Sequence, residues 1–540
     1  MSDSGKKNNL FNIIYGFALD YGIFILAFIV VALNFSLIFD NVVWGDEAFS
    51  ANTIYDTDLY GIYQRIFFWD NHPPLYYYWL RLMADVLGYH TWVYHLASVI
   101  PFAVGIILSV TYIRKKLGSI PASFFSIISG LSFTCSEYNL EIRMYELCFF
   151  FVLASICFSY RVLENREKNK WSWAGLVLTG VLAAYCHYYG MVATGILLFV
   201  TSLFYFIMNK GKTWLYGVVS IIAYLVLYSP WLYVLYVHTT RVEGTWWMQA
   251  PETLSNVMTF MFGGFRMSRF LIPATFILSF VYVISLLGVF SVKNVSKGDF
   301  LISFKKPSIK KTGINADDRA FFTYWLTVIL VLCFAYGISC LGKPMVANRY
   351  TYPLIPFVIM IWALSIKKLI GIFALAVTGD LPEKEKAEAG ETIPTPMEKN
   401  LTRSVRGRLS LAVILVIWLI LFVIGLMDFK LQRSIVKVQD ATTRETLDLI
   451  GDPGEKTAFS SDQVQHLAWT VLYYYYPDNK IESGQLYELA EEYDEIWSFL
   501  GYEASEQTFS DMRDRGFEVE IYKDMWIGKY PFNLYHYYKP

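Results

Sequence analysis

Apolar runs of near-spanning length recur along the chain, at about 21–40, 91–113, 119–136, 144–162, 172–189, 190–208, 214–236, 271–292, 320–341, 351–371 and 408–427. These predict about 11 transmembrane helices, with the short pair around Gly190 the weakest. The polar connections between runs alternate in sign. Lys6-Lys7, Arg114-Lys115-Lys116, 161–170, Lys210 with Lys212, 293–311 and 367–408 carry the positive charge and all fall on one side. Positive loops stay cytoplasmic, so the N-terminus is expected inside and the C-terminus outside. The first run lacks a cleavage site and is expected to stay as an anchor. Residues 374–407, charged and proline-rich without periodicity, read as a flexible cytoplasmic linker.

The outside then holds the loop 41–90, short loops near 137–143 and 342–350, the loop 237–270 and the tail 428–540. In the first loop, Ile54, Tyr55, Leu59, Ile62, Tyr63, Ile66 and Phe67 recur at helical spacing, opposite Asp56, Asp58, Gln64 and Arg65. This predicts a helix lying in the membrane interface, with Asp46-Glu47 before it and His72-Pro73-Pro74 after it. The tail changes to ordinary soluble composition. Strands are expected at 457–460, near 481, at 495–499, 517–522 and 525–527, and helices at 464–475, near 486–492 and at 506–515. That alternation predicts a small α/β domain, without a glycine-rich phosphate loop. The domains expected are 1–427, membrane-embedded, and 428–540, extracytoplasmic.

Composition agrees. Of 540 residues, 55% are hydrophobic, 18% aromatic and only 17% charged, as in a polytopic α-helical membrane protein. A net charge of −1 offers no basic surface for nucleic acid. The six cysteines (135, 148, 157, 186, 333, 340) lie in or beside apolar runs, without a disulfide framework or zinc spacing.

Cations are scarce in outer loops, yet Arg143, Arg349, Lys343 and His187 all fall at outer ends of spans. Two readings stand. Arg143 could pair with Glu141 or Glu146, and Arg349 with another carboxylate; or the group could grip an anion such as a lipid phosphate. Asp46-Glu47 is either a solvated helix start or a general base. His72 either caps a turn before two prolines or joins the cations. His187 reads first as a hydrogen-bonded core histidine. Trp246-Trp247 is the best candidate for stacking on a sugar. Asp46 and Glu47 could hold a divalent ion, but no ligand set demands one, and the sequence requires no cofactor.

These segments resemble the GT-C superfamily of integral membrane glycosyltransferases, nearest the protein O-mannosyltransferase and lipid A aminoarabinose transferase group (glycosyltransferase family 39-like). GDEAFS resembles its acidic motif after the first span, NHPPLYYYWLRL its (H/K)PPL motif, SEYNLEIRMYEL its R-x-Y loop, and NRYTYPLIPF its late RY…P segment. The resemblance covers roughly the first 370 residues. It implies transfer of a sugar from a polyprenyl-phosphate donor to an acceptor (protein, lipid or cell-wall glycan) at the outer face of the cell membrane. Asp46 would be the base and Glu47 its helper or an acceptor contact. His72, Arg143 and Arg349 would hold the donor phosphate, with Tyr145 and Tyr350 from the same motifs. His187, Glu141, Lys343, Trp246 and Trp247 would be further substrate contacts. A histidine where relatives carry lysine would hold phosphate less firmly when neutral.

Chemistry fits this independently. Nucleotide sugars are made in the cytoplasm, so an outward transferase needs a lipid-carried donor, and a single displacement would invert the anomeric centre. A transporter or flippase of lipid-linked saccharides is the rival reading. That class places charge mid-span and repeats its halves, whereas these span middles are nearly free of charge.

Overall fold

The computed structural model describes residues 21–39, 42–164, 170–209, 214–241, 248, 250–287, 290–296, 299–304, 314–341, 344–378, 405–462 and 466–540. Lys343, Trp246, Trp247 and most of the expected linker lie outside them.

Among the described residues, eight helices are long and apolar enough to cross a membrane. They are Thr91–Leu117, Tyr145–Leu163, Tyr188–Met208, Leu215–Arg241, Phe265–Leu286, Ala316–Cys340, Asn348–Phe373 and Leu411–Ile450. Ile23–Phe35 and Ser119–Leu131 are shorter apolar helices, and Lys170–Cys186 fills the expected run at 172–189. The chain is a multi-span membrane protein. Its outer helices say so directly: Val219, Ile222, Leu225 and Val226 on Leu215–Arg241 are exposed, a face that water would not tolerate on this scale.

The centre of the bundle is Ser119–Leu131, every residue of which is buried. A helix hidden on all sides can bury hydroxyls only if they are bonded. Ser126 and Ser129 donate to Ala122 O and Phe125 O one turn back. Gly130 lets Ile23–Phe35 cross closely, since an added Cβ would lie 2.0 Å from Val30 Cγ1. At that crossing Asn34 Nδ2 donates to Gly130 O at 2.8 Å, and Asn139 Nδ2 donates to Asn34 Oδ1 at 3.1 Å. This bridge fixes the start of the loop that carries Arg143. Gly130→Ala should therefore overpack the crossing and cost about 1–3 kcal/mol. Thermal unfolding should show the loss, and Val30→Ala in the same chain should recover part of it.

The segment 41–90 departs from expectation. Ahead of helix Leu75–Leu87 it forms two helices, Gly45–Ile54 and Leu59–Trp69. Asp56 turns left-handed (φ 45) between them, and Asp58 caps the second by accepting from Gly61 N–H at 2.7 Å. The acidic pair thus rides on its own helix. Arg65 donates to Asn52 O and Tyr55 O at the end of the first helix, and Arg241 to the last carbonyls of the second, Phe67 O and Phe68 O. These two arginines serve as helix C-caps.

Helix Val405–Ile450 runs for 46 residues without a break, straight through the expected boundary at 427. A C-terminal sheet domain follows. After an antiparallel hairpin earlier in the chain, β1 (Phe290–Ser296) with β2 (Asp299–Phe304), come β3 (Thr457–Ser461), β4 (Lys480–Ser483), β5 (Glu495–Leu500), β6 (Glu518–Ile527) and β7 (Tyr530–Tyr538). They form one sheet in the order β4-β3-β5-β7-β6. The first three are parallel, as strand-helix alternation requires, and the last two antiparallel. The two strands expected at 517–522 and 525–527 are one, irregular between Tyr522 and Met525. β7 was not expected. One face of the sheet buries Ala458, Ile496, Tyr535 and Tyr537 under the domain's own helices. The other, through Phe459, Phe499 and Leu534, is continuous with the core of the membrane domain. Helix His466–Tyr475 lies on the first loop: Asn52 Nδ2 donates to Thr470 O at 3.2 Å, and Tyr474 shares a hydrogen bond with Thr91 at 2.7 Å.

Candidate active site

Asp46 stands in the first turn of Gly45–Ile54, where a carboxylate suits the helix dipole. Its Oδ2 accepts from Arg349 Nη1 at 2.8 Å. Arg349 begins the span that opens with the turn Asn348–Leu354. Its guanidinium lies 5.6 Å from the Tyr350 ring centroid. Asp46 and Arg349 remain partly open, at 23% and 30% of side-chain surface, so both can be reached.

Arg143 is buried. Its Nη1 donates to Tyr77 Oη at 3.1 Å, Ser50 Oγ at 3.2 Å and the backbone oxygen of Asp46 at 3.4 Å. Its Nε is buried with no hydrogen-bond partner among the described residues. His72 Nδ1 lies 3.1 Å from Arg143 Nη2 and 2.8 Å from Asp70 Oδ1. Asp70 also accepts from the Tyr77 hydroxyl and, at 2.8 Å, from Asn71 N–H. Burial alone would raise this carboxyl, but His72, Arg143 and Tyr77 hold it well below the usual carboxylate range. Asp70 is thus the anion that keeps Arg143 and His72 in place. Among the described residues, the Arg143 guanidinium pairs with the carboxylate of neither Glu141 nor Glu146. Glu146 instead accepts from Tyr352 Oη at 2.8 Å.

Glu47 has another place. It is buried; one oxygen accepts from Ile142 N–H at 2.9 Å and the other from Trp44 N–H at 3.1 Å. It thereby ties the helix of Asp46 to the loop of Arg143. Burial raises its pKa to about 7, and that of nearby Glu141 to about 8. Glu47 and Asp46 diverge, and among the described residues no three His, Cys, Asp or Glu side chains gather as a metal site. The residues present do not fit a divalent ion beside Asp46-Glu47.

His187 caps helix Tyr188–Met208 by accepting from Tyr189 N–H at 3.0 Å. It is hydrogen-bonded, as the plainer reading held, but it also borders the site. Its ring centroid lies 5.6 Å from that of His72, 5.7 Å from Tyr145 and 5.8 Å from Tyr350. Its Nε2 is buried without a partner among the described residues.

Four residues far apart in sequence, Asp46, His72, Arg143 and Arg349, therefore form one chain of contacts. Asp70, Ser50 and Tyr77 complete it and were not foreseen. The D-x-H spacing of Asp70 and His72 was the available signal.

Comparison with known proteins now adds weight. A family model described as dolichyl-phosphate-mannose-protein mannosyltransferase matches residues 71–234, which include His72, Arg143 and His187 but not Asp46 or Arg349. No curated protein sequence matches. Among solved structures, ArnT from Cupriavidus metallidurans in the apo state superposes with a TM-score of 0.57 at 12% identity, over 95% of this chain and 97% of that one. The chain has an ArnT-like fold. The same ArnT bound to undecaprenyl phosphate superposes with a TM-score of 0.56 at 13% identity, over 95% and 98% of the two chains. The likeness thus spans the C-terminal sheet domain as well as the bundle.

Asp70→Asn tests the network. It leaves Arg143 buried without its carboxylate, which should cost about 3–5 kcal/mol. A thermal unfolding midpoint equal to that of the wild type would remove Asp70 from this role.

Proposed function

We propose that the protein is a membrane glycosyltransferase that moves a sugar from a polyprenyl-phosphate donor to an acceptor at the outer face, inverting the anomeric centre. The observation that carries this is the carboxylate of Asp46 set among cations: Arg349 at 2.8 Å, and Arg143 reaching the backbone of the same residue at 3.4 Å. Asp46 takes the proton from the acceptor's hydroxyl or amine as that atom attacks the anomeric carbon. The bond from that carbon to the phosphate oxygen breaks, and the phosphate leaves with the electron pair. Arg349, Arg143 and His72 stabilise the negative charge that grows there. Glu47, with both oxygens on backbone N–H groups, holds the two halves of the site together rather than touching substrate. The buried unpartnered nitrogens of Arg143 and His187 support an anion or hydroxyl-rich group as the missing partner.

Arg349 cannot serve carboxylate and phosphate fully at once. In this reading an arriving phosphate draws Arg349 away and leaves Asp46 free as a base, so donor binds before acceptor. The expected topology, eleven spans with the N-terminus inside and the tail outside, puts these residues where only a lipid-carried donor is available. The ArnT structure with undecaprenyl phosphate supports the carrier class. The test is incubation of membranes with labelled polyprenyl-phosphate sugars. Consumption of donor with release of polyprenyl phosphate is expected. Intact donor carried from one leaflet to the other would favour the flippase instead.

A further inference from the structure

β6 and β7 are joined by the turn Gly528-Lys529, and this turn is seated on the entry to the Asp46 helix. Gly528 is left-handed (φ 59), and an added Cβ would lie 3.1 Å from Trp44 Cα and from Val43 O. A side chain there would be strained and would crowd the Trp44 backbone. Its N–H donates to Thr443 Oγ1 at 2.9 Å, so the long helix fixes the turn from behind. Lys529 Nζ lies 3.2 Å from Glu137 Oε1 and 4.3 Å from the Trp44 ring centroid. Trp44, Glu47, Glu137, Glu141 and Lys529 line one cavity of about 40 Å³, and Lys529 is the one basic side chain among its lining residues.

A half-buried lysine facing three carboxylates is set by charge. Burial works against its proton, but Glu137, Glu141 and Glu47 hold its pKa above the ordinary lysine value. The reverse holds too: Lys529 opposes the burial that raises Glu47 and Glu141. Glu47 is the group whose oxygens join Trp44 N–H to Ile142 N–H. Tyr530, next along, has its phenol raised by burial and then by the charge on Asp46.

We propose that Lys529 is a positioning residue: carried by the soluble domain, it holds Glu47 in the bridge that sets Asp46 against Arg143. The membrane-embedded site is then incomplete without the soluble domain. This rests on the glycosyltransferase reading for its purpose, but not for its test.

The experiment compares full-length wild type, Lys529→Arg, Lys529→Glu and the swap Lys529→Glu with Glu137→Lys. Hydrogen exchange is followed at 43–47 and 139–143, and undecaprenyl phosphate affinity on the same samples. Lys529→Glu should speed exchange in both segments about tenfold and weaken undecaprenyl phosphate about tenfold, a coupling normal for contacting charges. Lys529→Arg should stay within about twofold of wild type, and the swap should regain most of the loss. Unchanged exchange in Lys529→Glu overturns the proposal, as does a loss that neither Arg nor the swap relieves. Wild type that fails to bind undecaprenyl phosphate would count against the function proposed above, while the exchange rates still decide the role of Lys529.

Discussion

Asp46→Asn should abolish donor consumption, lowering the rate by about 10³-fold, within the range that a positioned general base contributes. Asparagine keeps the shape and can still accept from Arg349 Nη1, so the fold and the 2.8 Å contact have no reason to fail. What it cannot do is take a proton. The sign of a second effect separates this from a general loss of binding. The wild-type carboxylate competes with phosphate for Arg349. Neutralising it should leave undecaprenyl phosphate bound at least as tightly as before. Lost turnover with preserved or improved phosphate binding is the expected pair of results, read by donor consumption and by titration of undecaprenyl phosphate. Equal turnover in wild type and variant would take Asp46 out of the mechanism.

Arg349→Ala should act on the other quantity. A charge-assisted hydrogen bond to phosphate contributes about 1.5–3 kcal/mol, so donor affinity should fall by roughly 10–100-fold. Arg143 and His72 remain, tied to Asp70, and keep some grip. In the double variant with Asp46→Asn the two effects on binding should not add, because the two side chains are in direct contact. An Arg349→Ala enzyme with the donor dependence of the wild type would count against the phosphate assignment.

How much of this was legible depends on the distance over which each feature is determined. Among the described residues each apolar run is largely helical, the end of 271–292 in β1 excepted, because hydrophobic length is a local property. Asp46, His72, Arg143 and Arg349 could be picked out because each is costly where it stands. Their partners could not. Nothing near Arg143 in sequence says that its counter-ion is Asp70 rather than Glu141 or Glu146, and burial decides that in three dimensions. The single interfacial helix failed on a local detail, the left-handed Asp56 and the Asp58 cap, which apolar spacing does not report. β7 was missed because its aromatic residues, Tyr535 to Tyr538, do not alternate in polarity: both faces of that strand are largely covered. Lys529 gives no sign in the sequence at all. Its meaning comes from a turn that reaches back across some 390 residues to Glu137.

Helix Val405–Ile450 has one more consequence. At 1.5 Å per residue its 46 residues make a rod of about 70 Å, more than twice the hydrocarbon thickness of a bilayer. The rod acts as a mast and a ruler: its length sets how high the sheet stands over the lipid, and its phase sets which way the sheet turns. One alanine inserted on the membrane side of Thr443 would lift the sheet by about 1.5 Å and swing it by about 100°. An inserted residue far from the Asp46 site would then silence the proposed transfer by pointing its roof in the wrong direction.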